Sequence, residues 1–269
     1  MEHRPVDLDE IKLKAALSDL PLGGLRVFRT IGSTNDNALA WASEGAADLS
    51  LVVADGQTAG RGRSGRTWIT PTGSALALSL ILRADIASQE IAGRLTGLGA
   101  MAVAEACDSL GLSAAIKWPN DVLVGGKKVA GILVEARWSG NQLQAFVIGI
   151  GINVLSGSTP PKSTVLFPAT CMEAELGHSL NRIDVLHTTV SSLIDWRARI
   201  NTDDFVRTWE RRLAYRGQEV TLTAAGQAPI KGSVVGLELD GSLRLAQGGK
   251  TIAVQIGEIH LHPTDDRMT

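Results

Sequence analysis

The segment Gly60-Arg61-Gly62-Arg63-Ser64-Gly65-Arg66-Thr67-Trp68 runs straight into Ile69-Thr70-Pro71-Thr72-Gly73. That junction rules out the folds its glycines first suggest. Gly60-x-Gly62-x-x-Gly65 satisfies the dinucleotide-binding glycine pattern, and Gly60-x4-Gly65-Arg66-Thr67 is one residue from a P-loop, with arginine in place of lysine. Both motifs work by opening a helix whose N-terminal amides meet a phosphate. Pro71 and Gly73 forbid that helix here. The chain must pass from a buried strand (Leu51–Ala54) through a flexible cationic loop into a second strand (Ser74–Leu82, with Leu76, Leu78, Leu80 and Leu82 on one face).

The loop has two readings. Spread arginines often make a solvated surface turn. Here three arginines cluster with three glycines and an aromatic, and no acidic residue falls between Asp55 and Asp85. Glycine lets backbone N–H groups approach an anion, and the guanidinium grips phosphate or carboxylate at two points. The body around the loop is not basic: formal net charge is −2 over 269 residues, which argues against a dedicated nucleic-acid binder. At 44% hydrophobic and 20% charged the composition is that of a globular protein with a sizeable core. No run of about 18 apolar residues spans a membrane, and the N-terminus lacks a signal-peptide pattern. Cys107 and Cys171 form no CxxC, Cys107 reads as a buried inert thiol, and a reducing, cytoplasmic setting fits.

Periodicity predicts helices over residues 7–20, 35–44, 88–110, 183–200 and 203–213. Strands are expected at Leu25–Thr30, at Ala115–Val124 and Lys128–Trp138 joined by Gly125-Gly126, and at Leu143–Val154. After Tyr215-Arg216-Gly217 the texture changes to short alternating strands, Glu219–Thr223, Ile230–Leu239, Ser242–Ala246 and Thr251–Ile256, a small all-β unit of barrel type.

Four further motifs carry polar groups. Gly32-Ser33-Thr34-Asn35 supplies N-cap hydroxyls. In Lys117-Trp118-Pro119-Asn120-Asp121 the proline extends the backbone before it, and Asp121 reads either as a one-carboxylate Mg²⁺ ligand or as a turn cap. In Lys128-Val129-Ala130-Gly131-Ile132-Leu133-Val134-Glu135 alternation puts Lys128 and Ala130 on one face, Val129 and Gly131 on the other; Lys128 reads as exposed or as projecting into a pocket. Glycines in Gly149-Ile150-Gly151-Ile152-Asn153 mark close approach of a ligand or another backbone. No zinc spacing and no Ser/His/Asp set is visible.

In this order and spacing the motifs, with Gln57-Thr58-Ala59 leading into the arginine loop and Gly257-Glu258-Ile259 near the end, resemble the biotin protein ligase family from about residue 25 onward. The resemblance implies an α+β fold: a mixed-sheet catalytic domain of the biotin/lipoate ligase, class II synthetase-like type, with a small C-terminal SH3-like β-barrel. The expected division is an N-terminal helical segment (1–23), the catalytic domain (24–213) and the SH3-like domain (214–269). It implies that biotin's carboxylate attacks the α-phosphate of ATP with Mg²⁺ present, and that biotinyl-AMP then acylates a lysine of a biotin carboxyl carrier domain of acetyl-CoA carboxylase or a related carboxylase. Lys128 and Arg63 are then the expected catalytic residues. Ser33, Thr34, Asn35, Gln57, Gly60, Arg61, Gly62, Arg63, Lys128 and Gly131 face biotin, and Arg63, Arg66, Trp68, Lys117, Asn120 and Asn153 face ATP, with Asp121 on the metal. Some family members carry an N-terminal DNA-binding domain; the short stretch before Ser33 implies a single-function enzyme, and a homodimer stays open. Some place a tryptophan after the Gly-Ile-Asn motif to stack on adenine; here only Phe167 stands nearby. A lipoate or octanoate ligase on the same fold, a nucleic-acid module using the basic loop, and a catalytically dead sensor are the rival readings.

Overall fold

The computed structural model describes residues 8–84, 91–161, 163, 165, 167–224, 228–255 and 259–263. Helix α1 (Glu10–Ala16) starts at Asp9, whose carboxylate accepts the Lys12 N–H at 2.9 Å, and buries Leu13. It is shorter than the expected 7–20: residue 7 lies outside the described residues, and Leu17 has already left helical geometry. Strands β1 (Gly24–Ile31) and β2 (Ser50–Gln57) run parallel and are joined by α2 (Thr34–Ser43), the crossover a parallel pair requires.

Strands β3 (Ala75–Arg83), β4 (Ala114–Lys117), β5 (Asp121–Val124), β6 (Lys127–Ser139) and β7 (Gln142–Asn153) complete a mixed seven-stranded sheet, ordered β1-β2-β3-β7-β6-β5-β4. Helix α3 (Ala92–Ser109) and helix α5 (Arg182–Arg199) bury Leu95, Leu98, Met101, Val190 and Leu193 against one face. The expected start of α3 at Ser88 lies outside the described residues. On the other face α2 packs Ala38 and Ala42 onto Val52, Ile81, Ala145 and Val147. Residues 145, 147, 149, 151 and 153 share one face of β7, so α2 covers the first two with Ala38 and Ala42, reaches the third only with Asn35 of its first turn, and leaves the last two beyond its N-terminus. That open strip of sheet is where the candidate site forms. Short helices α4 (Met172–Leu176) and α6 (Asp203–Arg211) complete the α-helices described.

Two local expectations are corrected. The strand foreseen over 115–124 is two strands, because Trp118-Pro119-Asn120 turns the chain back and Lys117 pairs with Asp121. Asn120 and Asp121 therefore sit at a hairpin rather than along one strand. Pairing of β5 with β6 also shifts between Val122 and Leu123, opposite Ala130 and Lys128. This bulge adds one residue to β6, and it brings Lys128 onto the face of Gly131 instead of opposite to it.

The second sheet, β8 (Glu219–Ala224), β9 (Ile230–Leu237), β10 (Leu243–Gln247), β11 (Lys250–Val254) and β12 (Ile259–Pro263), is antiparallel and ordered β11-β10-β9-β8-β12, which fits an SH3-like unit. Strand β12 was not anticipated, and Ile256, Gly257 and Glu258 lie outside the described residues. The two sheets are joined by hydrogen bonds: Trp118 Nε1–H donates to Gly241 O at 2.9 Å, and Arg94 Nε–H to Leu239 O at 2.6 Å. Val220, Leu222, Leu243 and Leu245 belong to the same hydrophobic cluster as Leu95 and Leu193.

Candidate active site

A cavity of about 550 Å³ opens over the uncovered strip of β6 and β7. That volume suits a small-molecule site. Of the residues singled out from sequence, all but Gly60 line it. Gly60 lies behind, where its carbonyl accepts the Trp68 N–H at 2.9 Å and a side chain would strike the backbone of Trp68.

One end is built by the N-terminus of α2. Ser33 occupies the N-cap position, yet its hydroxyl makes no cap bond. Gln57, at the end of β2, does that work instead: its Oε1 accepts from the Thr34 N–H at 2.8 Å and from the Thr34 hydroxyl at 3.1 Å, while its Nε2–H donates to Thr70 at 2.9 Å. Asn35 is buried over Gly149, where any Cβ would overlap it. Its amide accepts from the Ser79 hydroxyl at 2.6 Å and donates to Glu135 at 2.8 Å. One step along the face, about 7 Å for two residues of strand, Trp68 lies over Gly151 in the same way. The strand glycines do mark close approach, and what approaches are two side chains.

The other end is cationic. Lys128 Nζ is 2.5 Å from Asp121 Oδ1 and 5.4 Å from the centre of the Trp68 ring. Lys117 Nζ is 3.8 Å from Asp121 Oδ2 and 4.1 Å from the centre of the Phe167 ring. Arg63 and Arg66 line the same space. Burial pushes the Lys117 pKa below the ordinary lysine range, partly offset by Asp121 and reinforced by Lys128 and Arg66. Among the described lining residues Lys117, Lys128 and Arg66 face the single carboxylate of Asp121. Asp121, the expected metal ligand, is the only carboxylate among the described lining residues, and the described residues contain no group of three His, Cys, Asp or Glu that could hold an ion unaided.

Two straps fix this end. Asn120 Nδ2–H donates to Ile132 O at 3.1 Å, and Ile132 N–H returns a bond to Asn120 O at 2.9 Å. The segment 168–170 crosses Lys128, with Lys128 N–H donating to Pro168 O at 2.8 Å and Thr170 N–H to Lys128 O at 2.9 Å. Asn153 Nδ2–H donates to Thr170 O at 3.0 Å, so Asn153 serves the strap as well as the cavity.

The arginine loop closes over the cavity as a narrow hairpin, with Arg61 bridged to Thr67. Ser64 (φ 55°) and Gly65 (φ 71°) turn its tip, the positive-φ requirement that glycine meets without strain. Arg61 does not present its guanidinium to the cavity as a free cation: both ends bind Glu135, at 2.8 and 2.7 Å, and one also binds Asp36 at 2.6 Å. Glu135 stood in a motif without a role, and Asp36 and Thr70 were not singled out at all. Ser79, a lone hydroxyl in the leucine-rich β3, is the one such partner whose position in the sequence could have been flagged. Val165, Ala169 and Pro160 also line the cavity, and nothing in their types marked them.

Known proteins resemble this chain in sequence and in fold. The model of the biotin/lipoate A/B protein ligase family matches residues 27–153. The chain is 35% identical over 226 residues to the biotin--[acetyl-CoA-carboxylase] ligase of Paracoccus denitrificans, covering 79% of this chain and 90% of that one. It is 37% identical over 185 residues to the bifunctional ligase/repressor BirA of Bacillus spizizenii, covering 68% of this chain but only 57% of that one. The solved biotin protein ligase from Aquifex aeolicus, in complex with biotin and ATP, superposes with a TM-score of 0.77 at 26% identity, over 90% of this chain and 99% of that one.

Proposed function

This chain belongs to the biotin protein ligase family, and from that premise we propose its reaction and the part each residue takes. The enzyme attaches biotin to protein at the expense of ATP. Biotin's carboxylate oxygen attacks the α-phosphorus, the bond to the β-phosphate oxygen breaks, and pyrophosphate leaves with its electron pair. The amine of a carrier lysine then attacks the acyl carbon of biotinyl-AMP. AMP leaves, the nitrogen loses a proton and an amide remains. Neither step needs a protein nucleophile; both need two anions held together, which is a problem of positioning and charge.

The observation that carries this reading is a cavity with hydrogen-bonding groups at one end and a cluster of lysine and arginine side chains around one carboxylate at the other. The ureido end of biotin takes the Ser33, Thr34 and Gln57 groups, and its ring system lies beside Trp68. The carboxylate then reaches Lys128. Lys128 sits where the carboxylate and the α-phosphate meet, with Asp121 holding the ammonium in place. Arg63, Arg66 and Lys117 take phosphate oxygens, while Asn120 and Asn153 hold the walls around the nucleotide. Phe167, fixed over Lys117, offers the flat face for adenine. Magnesium enters on the triphosphate, and Asp121 would supply the one protein carboxylate while phosphate oxygens complete its shell.

The names of relatives support a carboxyl carrier protein of a biotin-dependent carboxylase as acceptor. The two free buried cysteines support a cytoplasmic setting, and the −2 net charge supports action without nucleic acid. No helix among the described residues is long and apolar enough to cross a membrane. The division 24–213 and 214–269 is supported by the two separate sheets. Incubation with Mg²⁺, ATP, biotin and a carrier domain, read by mass spectrometry for a biotinylated lysine, tests the assignment; a carrier left unmodified overturns it.

A further inference from the structure

The first turn of α2 presents three consecutive side chains to three different parts of the molecule. Thr34 binds Gln57 at the polar end of the cavity, Asn35 bridges Ser79 to Glu135, and Asp36 reaches Arg61. Asn35, Glu135, Arg61 and Asp36 therefore form one connected network that runs from the buried sheet to the arginine loop. Its last link has the geometry of a strong ion pair. Both guanidinium nitrogens meet both oxygens of Glu135, the fork-to-fork arrangement that is shorter and more directional than a point-charge contact. Glu135 is itself held by the Asn35 amide, so its orientation is set before Arg61 arrives. Pairing with Glu135 raises the Arg61 pKa further above its ordinary value.

We propose that Glu135, backed by Asp36, is a positioning residue that grips Arg61 and holds the arginine loop closed over the cavity. Resting on the ligase reading above, this gives the network a task in the reaction. An acyl-adenylate is labile in water, and a closed loop keeps it until the acceptor amine comes. The adenylation chemistry itself lies at the Lys128 end, away from Glu135, so weakening the grip affects retention more than formation.

The test uses the full chain as wild type, Glu135→Gln and Asp36→Asn. Glu135→Gln keeps the shape and the acceptor for Asn35 but removes the charge. Without ligand, hydrogen exchange at the 60–68 amides should accelerate roughly fivefold in Glu135→Gln, with global unfolding unchanged; exchange equal to wild type overturns the proposal. With Mg²⁺, ATP and biotin, formation of biotinyl-AMP should stay near wild type while its escape, read as labelling of serum albumin added to the mixture, rises by a similar factor. Added salt should raise wild-type escape toward the variant and leave Glu135→Gln little changed, because screening acts on the ion pair. Faster loop exchange in a chain that makes no biotinyl-AMP upholds the grip and overturns the ligase reading instead. Retention of biotinyl-AMP in Glu135→Gln equal to wild type overturns the role in retention.

Discussion

Lys128 and Lys117 flank one carboxylate, and their surroundings separate their tasks. Lys128 stands beside Trp68, whereas Lys117 is almost fully buried under Phe167. Lys128→Ala should bind biotin nearly as wild type and release pyrophosphate about 10²- to 10³-fold more slowly, the cost of removing one preorganised charge from a transition state; an unchanged rate would remove Lys128 from the mechanism. For Lys117 the sign follows from its lowered pKa. Between that value and the ordinary lysine pKa the unfolded chain holds a proton that the folded chain has shed, so stability rises with pH across this window. At neutral pH the fold carries the full cost of the buried charge. Lys117→Met should therefore raise the melting temperature at pH 7, lose the rise in stability at alkaline pH, and raise KM for ATP without altering biotin affinity. At this scale the sequence showed which residues matter but not how they pair. Arg61 looked like its neighbours Arg63 and Arg66, and only the fold brings Glu135 and Asp36 to it.

Elements decide which side chains can meet. The alternation of β6 predicts Lys128 on the face opposite Gly131, and a single bulge reverses that. Bulges leave no mark in an alternating pattern, whereas the glycines of β7 do mark their purpose: only residues without Cβ let Asn35 and Trp68 lie flat on the sheet. Gly151→Ala should push Trp68 out of place, with a packing penalty of roughly 1–3 kcal/mol. Titration calorimetry should show biotin affinity falling about tenfold or more, and affinity equal to wild type would mean that Trp68 does not shape the site. The hairpin at Trp118-Pro119-Asn120 escaped prediction because its flanks, Ala115–Lys117 and Asp121–Val124, carry one continuous strand-like texture. Strand and helix cores were legible within a few residues. Strand β12 was not, since its His260 and His262 read as scattered polar residues.

In the whole molecule, two sheets of different texture share one hydrophobic cluster, and Trp118 and Arg94 bind the turn between β9 and β10. Such continuity predicts one calorimetric unfolding transition for the full chain; two resolved transitions would show that the sheets fold independently. The change of texture after Tyr215 revealed the second sheet in the sequence, but contacts made across more than a hundred residues could not be read from it. The measurement that bears most directly on the site is pyrophosphate release by the full chain with Mg²⁺ and ATP, given biotin, lipoate or octanoate in turn. Release that depends on biotin, and is slight with the other two acids, is the expected result. No release with biotin, or equal release with lipoate, would contradict it.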